Sequence, residues 1–307
     1  MSEGSGTVPA VGAKGISEMP PKYSEIRRIL SVFFGRPLPV VGLILVVILI
    51  ITAIFAPLLA PYDPNKMDMP HKLQSPSMKH PLGTDSLGRD TLSRVIYGSR
   101  VSLMIGILAT SIAAVVGMSM GLIAAYFGGV IYQFIMRFID ALMAFPMLML
   151  ALLIAALLGG GIKNVVIALA IGMISAPTRM MCGVVMSGKQ NEYILAARSM
   201  GARNSRIMLR HILPNAFQPL LVMLTVGLGA TILAEAGLSF LGVGISPPTP
   251  AWGSMVNDGY KFLLSNPELC LGPGVAIMLV VFGFNMVGDG LRDALDPRLR
   301  GVLSTAS

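Results

Sequence analysis

The segment Gly183-Val-Val-Met-Ser-Gly-Lys-Gln190 spells most of a phosphate-binding loop, the kind of loop that holds a nucleotide. Such a loop needs a Ser or Thr after the lysine to bind Mg²⁺, and it lies between a strand and a helix. Gln190 occupies the Ser or Thr position here, and the glycines stand at the end of an apolar segment. We therefore expect no nucleotide site and no ATPase activity in this chain alone.

Four ionisable residues lie within long apolar segments, namely Arg137, Asp140, Arg179 and Glu235. A charge at the centre of a bilayer costs roughly 2.5 to 3.5 kcal/mol, so such groups face protein or water or lie near an interface. Arg137 and Asp140 are spaced to pair on one helix face, which leaves a structural ion pair and a transport role both open. Arg179 and Glu235 are candidates for a pathway or gate. The alternative is that the Arg179 side chain extends to the membrane interface and that Glu235 hydrogen-bonds to neighbouring backbone.

Metal chemistry and disulfide chemistry have little support in the sequence. The two cysteines are far apart, and the three histidines are scattered at His71, His80 and His211. The sequence contains no CxxC or Cys/His cluster, so neither a zinc site nor a disulfide framework is predicted. A membrane-embedded enzyme would need a cluster of such residues within the membrane. We expect no metal or cofactor bound by this chain.

The composition predicts the elements that position these residues. Hydrophobic residues make up 54% of the chain and charged residues 12%, and the mean hydropathy is +0.75. The apolar residues fall in blocks long enough to cross a hydrocarbon core of about 30 Å as helices. We therefore predict an all-α membrane protein with about six transmembrane helices. The net charge of +8 fits the positive-inside rule. Basic residues do not alternate with aromatic ones, so no nucleic-acid partner is expected.

The predicted organisation begins with a polar tail over 1–38, disordered at first and ending in a short interfacial helix. Residues 39–100 hold the first span and an outer loop that is too long for a hairpin, so we expect a small structured extension. Residues 101–296 form the core, with a cytoplasmic loop at 188–214, and 297–307 form a tail. The predicted spans are 40–59, 101–127, 134–158, 165–187, 217–236 and 271–287.

Two further features concern packing and orientation. Gly117 and Gly121 form a GxxxG pattern in the second span, which lets neighbouring helix backbones approach. Thirteen lysines and arginines lie in the two tails and the 188–211 loop, against eight in the segments of the other side. Both termini and this loop are therefore predicted to be cytoplasmic.

The cytoplasmic loop from Asn191 to Pro214 is predicted to fold as two short helices at an angle. Asn191 caps the first helix. Ala196 and Ala197 in this helix are small, so that another protein's surface can come close. Gly201 ends that helix, because glycine adopts a left-handed conformation without a Cβ penalty.

The second short helix of the loop is capped by Asn204 or Ser205 and leads to Pro214. Physical reasoning alone also leaves open a basic loop that only sets the topology.

The loop resembles the EAA loop of the membrane subunits of ABC importers. Leu195 stands in place of the Glu of that pattern and His211 in place of its Ile. Glu192 resembles the Glu of the Glu-Tyr-x-x-Ala-Ala-Arg variant in the peptide and nickel branch of the family. The coupling residues that the resemblance implies are Glu192, Ala196, Ala197, Arg198, Gly201, Ala202, Leu213 and Pro214.

Three other segments resemble the same branch, so that the resemblance extends from about Arg36 to Arg300. They precede the second helix, end the fifth helix with its outer loop, and close the chain. The matching stretches are 80–90 with 98–103, 234–242 with 247–253, and Asp289, Arg292, Asp293, Asp296 and Pro297.

The resemblance implies a type I ABC importer permease fold with an extra N-terminal helix and an extended outer loop, the C-type subunit of a heterodimer. It further implies a second permease subunit, two ATPase subunits that bind ATP and Mg, and an extracytoplasmic solute-binding protein. The loop would act as a coupling helix on an ATPase subunit in a bacterial or archaeal cell membrane. The main rival is a self-contained secondary transporter or channel. Peptides, opines, nickel chelates and oligosaccharides all remain open as substrates.

Overall fold

The computed structural model describes residues 22–295 of the chain. Within that range every regular element is a helix, and extended backbone pairs only at Thr84 and Asp90. Five helices are long and apolar enough to cross a membrane, or six if one bent pair counts as a span. The predicted all-α membrane fold is confirmed. The predicted tail before residue 22 and the last residues from 296 lie outside the described range.

The helices, numbered in chain order, are α1 Lys22–Phe34, α2 Pro37–Ile54, α3 Ala56–Leu59, α4 Thr91–Phe127, α5 Gly129–Met143, α6 Met147–Leu158, α7 Ile162–Met173, α8 Ser175–Gly188, α9 Glu192–Ser199, α10 Asn204–Arg206, α11 Leu213–Phe240, α12 Trp252–Tyr260 and α13 Glu268–Leu295. A 3₁₀ turn occupies Met69–His71, and a π-helical turn at Ile207–Ile212 joins α10 to α11.

Residues 60–90 form a structured lobe, as the length of the segment predicts, and it is named the outer lobe after the side that the sequence predicts for it. Asp85 organises it, because its Oδ1 accepts the backbone N–H groups of Leu87 and Arg89, each at 2.9 Å. Its Oδ2 accepts from Arg89 Nε at 2.6 Å, and Arg94 donates to the Pro64 carbonyl at 3.0 Å. The lobe is therefore held by buried charged groups that are hydrogen-bonded to each other and to backbone.

The helix that contains the second span begins at Thr91, before the predicted start of the span at Val101. Asp90 caps the helix, because its side chain accepts from the Ser93 N–H at 2.8 Å. The first turns of α4 are polar because they pack against the outer lobe. Hydropathy alone therefore does not locate the start of this helix.

Helices α4 and α8 touch through their backbones at the GxxxG pattern. A Cβ at Gly117 would lie 2.7 Å from the Ile174 carbonyl oxygen, and one at Gly121 would lie 2.3 Å from that of Thr178. Only glycine leaves room for such an approach. The predicted packing role of this pattern is confirmed.

The apolar block 134–158, predicted as one span, is two helices. Helices α5 and α6 meet at an angle of 89°. Pro146 stands immediately before α6, and a proline disfavours helical backbone at the residue before it. The predicted span 134–158 is therefore divided by a sharp bend.

The outer loop after α11 contains a helix that the sequence did not suggest. Trp252 opens α12, is buried, and donates from Nε1 to the Val95 carbonyl of α4 at 2.9 Å. Gly161 donates its N–H to the Gly244 carbonyl at 3.1 Å. The turn after α6, the loop after α11 and the outer lobe consequently lie at one end of the helix bundle.

Candidate functional site

The loop between α8 and α11 lies at the opposite end of the bundle from the outer lobe. Its first helix, α9, begins after Asn191, whose extended backbone places it at the capping position. The Asn191 side chain makes no capping hydrogen bond, so the cap is positional only. Glu192 lies in the first turn, where its charge suits the helix dipole.

One face of α9 packs against the chain's own core. Ile194 and Ala197 are 1% and 6% exposed, and Ile194 lies in an apolar cluster with Leu122 and Val185. The two residues are three positions apart and share a helix face. Burial of the larger Ile194 side chain therefore also places Ala197 against the core. Ala197 therefore contacts the chain's own core, whereas Ala196 and Arg198 are exposed and remain accessible to a partner.

Gly201 ends α9 in the left-handed region, with φ of +77°. Its N–H donates to the Arg198 carbonyl at 3.0 Å, and the Ala202 N–H donates to the Ala197 carbonyl at 3.1 Å. These two bonds form a Schellman motif, which satisfies carbonyls at the helix end. A Cβ at Gly201 would meet nothing within 4 Å among the described residues, so only the backbone conformation requires glycine. The predicted turn is confirmed.

The second half of the loop differs from the prediction. Arg203 occupies the capping position of α10, where Asn204 or Ser205 was expected. The helix does not stop at Pro214 but continues through the π-helical turn into α11. Pro214 follows that turn, so its missing N–H falls where the hydrogen-bonding pattern changes. Leu213 is half-buried and Pro214 is exposed.

Lys189, the lysine of the phosphate-loop-like motif, binds the end of α4. Its Nζ donates to the carbonyl oxygens of Ala125 and Tyr126 at 2.9 and 2.7 Å. A lysine at a helix C-terminus satisfies free carbonyls and suits the dipole. The motif itself lies along α8, so it has no strand before it. The contact of Lys189 with Tyr126 was not predicted from the sequence.

Arg179 and Asp140 form an ion pair between α8 and α5, with Nη2 and Oδ1 2.6 Å apart. Asp140 therefore pairs with Arg179 and not with Arg137, the partner that its spacing allowed. Arg137 is exposed and forms no salt bridge within residues 22–295. The Arg179 and Asp140 side chains are 48% and 51% exposed in the single chain, so the pair lies on the surface of the bundle.

Glu235 is fully buried near the outer end of α11. It accepts hydrogen bonds from Ser239 at 2.7 Å and from Ser102 of α4 at 3.3 Å. Ser239 in turn accepts from the Ile245 N–H at 3.1 Å. In the described part of the chain no salt bridge reaches Glu235, and its side chain is fully buried. The carboxylate ties α4, α11 and the following loop together.

Residues 22–295 contain no group of three or more His, Cys, Asp or Glu side chains arranged to hold a metal ion. The arrangement at this end of the bundle is instead a short helix that is anchored on one face and followed by a basic stretch. Exposed apolar and basic side chains lie side by side there.

Residues 113–301 match the family described as the binding-protein-dependent transport system inner membrane component. Residues 24–76 match the N-terminal TM domain of oligopeptide transport permease C. The chain is 45% identical over 263 residues to a dipeptide transport system permease protein of Alkalihalophilus pseudofirmus, covering 86% of each. It is 44% identical over 257 residues to a glutathione transport system permease protein of Escherichia coli, covering 83% of this chain and 85% of the relative.

The fold is similar to a solved structure of the MetNI methionine ABC transporter in an inward-facing conformation. The TM-score is 0.54 at 18% identity, and the match covers 67% of this chain and 98% of that one. This likeness concerns the fold alone. Together with the family matches it confirms the type I importer fold and excludes a self-contained secondary transporter. The chain belongs to the binding-protein-dependent transport system inner membrane components and is a noncatalytic, multi-pass, C-type permease subunit of an ABC importer.

Proposed function

We propose that this chain forms half of the translocation pathway for peptides or related small solutes. Two relatives support that substrate class, since one is named for dipeptides and the other for glutathione, itself a short peptide. The complete importer would contain a second permease subunit, two subunits that bind ATP and Mg and hydrolyse ATP, and an extracytoplasmic solute-binding protein. The subunit would reside in the inner membrane.

The orientation that we propose places both termini and the α9 loop in the cytoplasm. Helix α4 has 37 residues and leads from the outer lobe to this loop, a distance of about 55 Å at 1.5 Å per residue. Arg36, before α2, pairs with Asp293 near the end of α13. That pair lies at the end of α2 opposite the outer lobe. The excess of basic residues in the α9 loop and tails supports a cytoplasmic location for this end.

The observation that carries the coupling role is the exposed face of α9. Met200 is 81% exposed and Leu195 is also exposed, although both lie in a loop that is otherwise basic. Exposed apolar residues beside a rigidly anchored helix indicate a protein partner. A cleft of about 760 Å³ adjoins Met200, and its lining also includes Tyr193, Gly201, Arg203, Arg206 and Arg210. We infer that an ATPase subunit docks on this face.

Ala197 contributes to that docking indirectly, by letting α9 lie close to the core of the permease. The exposed coupling residues Glu192, Ala196 and Arg198 would contact the ATPase subunit directly, whereas Gly201 and Ala202 fix the turn. Leu213 and Pro214 connect the loop to α11, so that displacement of the loop would move a span.

Two other sites are proposed for the pathway. The Arg179–Asp140 pair presents charges of both signs from within the spans, where exposure to lipid would be costly. Peptides carry a terminal ammonium and a terminal carboxylate, so a pathway for them would accommodate such a pair. Glu235 is proposed to act on the outer gate by holding α4 and α11 in position, because it is buried in this conformation.

A single substitution tests the docking. The chain is co-expressed with its second permease subunit and both ATPase subunits, purified in detergent and assayed for bound ATPase. Ala196→Asp places a charge on the exposed face and should abolish copurification and transport. Ser77→Asp, the same charge on the exposed outer lobe, serves as the control and should leave ATPase binding intact. Normal ATPase binding and transport by Ala196→Asp would refute the docking assignment.

A further inference from the structure

Tyr126 lies in the last turn of α4 and is 5% exposed. Two cations of the loop region lie over its ring. Lys189 Nζ is 5.7 Å from the ring centroid, and the Arg198 guanidinium is 5.9 Å from it. Both distances suit cation–π attraction. One aromatic ring of α4 therefore contacts the segment after α8 and the helix α9.

The hydroxyl group of Tyr126 extends the contact to a third segment. It donates to Asn204 Oδ1 at 2.7 Å, and Asn204 is the first residue of α10. The backbone carbonyl of Tyr126 accepts from Lys189 as well. Tyr126 thus links α4 to α9, to α10 and to the end of α8, on both sides of the turn at Gly201.

Apolar packing also holds the loop, because Ile194 and Ile207 share a buried cluster with Tyr126. Such packing is not directional, whereas a hydrogen bond and two cation–π contacts fix the position of α9 and α10 relative to α4. A second polar link joins α9 to α11, where Asn215 donates to the Tyr193 hydroxyl at 3.0 Å. That link is exposed to solvent, whereas at the Tyr126 link the tyrosine is buried and Asn204 is exposed.

We propose that Tyr126 is the positioning residue through which the coupling loop acts on span α4, an inference that rests on the coupling role proposed above. Displacement of α9 and α10 by an ATPase subunit would act on the end of α4 through this side chain. Nearer its other end, α4 contributes Ser102, which donates to Glu235. The same helix therefore connects the loop with the outer side.

A double-mutant cycle in the intact transporter tests this role. The four complexes carry the parent chain, Tyr126→Phe, Asn204→Ala and both changes, and are reconstituted in lipid vesicles with the solute-binding protein. Basal ATP hydrolysis, hydrolysis stimulated by the binding protein, and solute uptake are measured. Tyr126→Phe keeps the ring and removes only the hydroxyl, and Tyr260→Phe on the outer side is the matched control.

We expect each single variant to retain its ATPase subunits and its basal hydrolysis. Stimulated hydrolysis and uptake should fall about two- to tenfold, the effect of one hydrogen bond on an equilibrium. The double variant should be no worse than either single one, because both changes break the same bond. Multiplied losses, unchanged stimulation in Tyr126→Phe, or failure of that variant to accumulate would each overturn the proposal.

The parent complex separates this inference from the proposed function. If the parent does not retain ATPase subunits, the coupling role itself fails and the role of Tyr126 fails with it. If the parent retains them and Tyr126→Phe is stimulated normally, the coupling role stands and only Tyr126 loses its place.

Discussion

The guanidinium of Arg179 on α8 donates to the carboxylate of Asp140 on α5 at 2.6 Å, although the two residues are 39 positions apart. Both side chains are about half exposed in the isolated chain. Each charge lowers the cost of keeping the other within the spans. The pair thereby joins two helices at a surface where contact of the charges with lipid would be unfavourable.

Exchanging the two charges separates structural pairing from a pathway role. Arg179→Asp and Asp140→Arg should each lower the amount of subunit in the membrane, because like charges then face each other. The double exchange should restore that amount without restoring uptake, since the charges would face the solute in reversed positions. Arg137→Ala is the control and should behave like the parent. Full recovery of uptake in the exchanged variant would reduce the pair to a structural ion pair.

Gly201 offers a test of backbone conformation with no steric complication. Gly201→Val should weaken ATPase association and abolish stimulated hydrolysis, because left-handed backbone costs L-residues about 1 to 2 kcal/mol and β-branched ones more. Gly201→Asn should be milder, since asparagine tolerates this region. Copurification of the ATPase subunits and ATP hydrolysis are measured to rank the two variants by severity. Equal behaviour of the two variants would show that the turn does not set the docking angle.

Glu235 should tolerate the loss of its charge but not of its hydrogen bonds. Glu235→Gln can still bond Ser102 and Ser239, so we expect parent-like amounts of subunit and uptake. Glu235→Leu leaves those buried hydroxyls without their partner, which costs about 1 to 3 kcal/mol, and should lower thermal stability in detergent. If Glu235→Gln assembles normally but loses uptake, the negative charge itself takes part in gating.

The topology is tested by labelling single cysteines from outside intact spheroplasts. The background chain first has Cys182 and Cys270 replaced by alanine. A cysteine at Ser77 in the outer lobe should react with an impermeant reagent, and one at Ser205 in the loop should react only after the membrane is opened. Both positions are exposed in the structure, so accessibility reports the side of the membrane. The opposite pattern would reverse the orientation.

The features that could be predicted from the sequence are those set by local residue chemistry. The turn at Gly201 and the close approach at Gly117 and Gly121 follow from the absence of a Cβ. The outer lobe followed from a polar segment too long for a hairpin. In each case the sequence signal consists of residues that are near one another in the chain, even where the contact that results is with a distant helix.

The features that escaped prediction depend on contacts between distant segments. Asp140 has a suitable partner three residues away, so its bond to Arg179 could not be chosen from spacing. The break at Pro146 is hidden in hydropathy, because α5 and α6 are both apolar. Ala197 turns inward because of the isoleucine on its own face, whereas the resemblance suggested only that small residues mattered.

The backbone contact between α4 and α8 limits how the subunit can deform. Packed helices slide past each other by repacking the side chains between them, a shear motion of small amplitude. At Gly121 no side chain separates the helices, because the Thr178 carbonyl occupies the place of a Cβ. We expect α4 and α8 to turn as one rigid body. We then expect the subunit to change shape mainly at the sharp bend between α5 and α6.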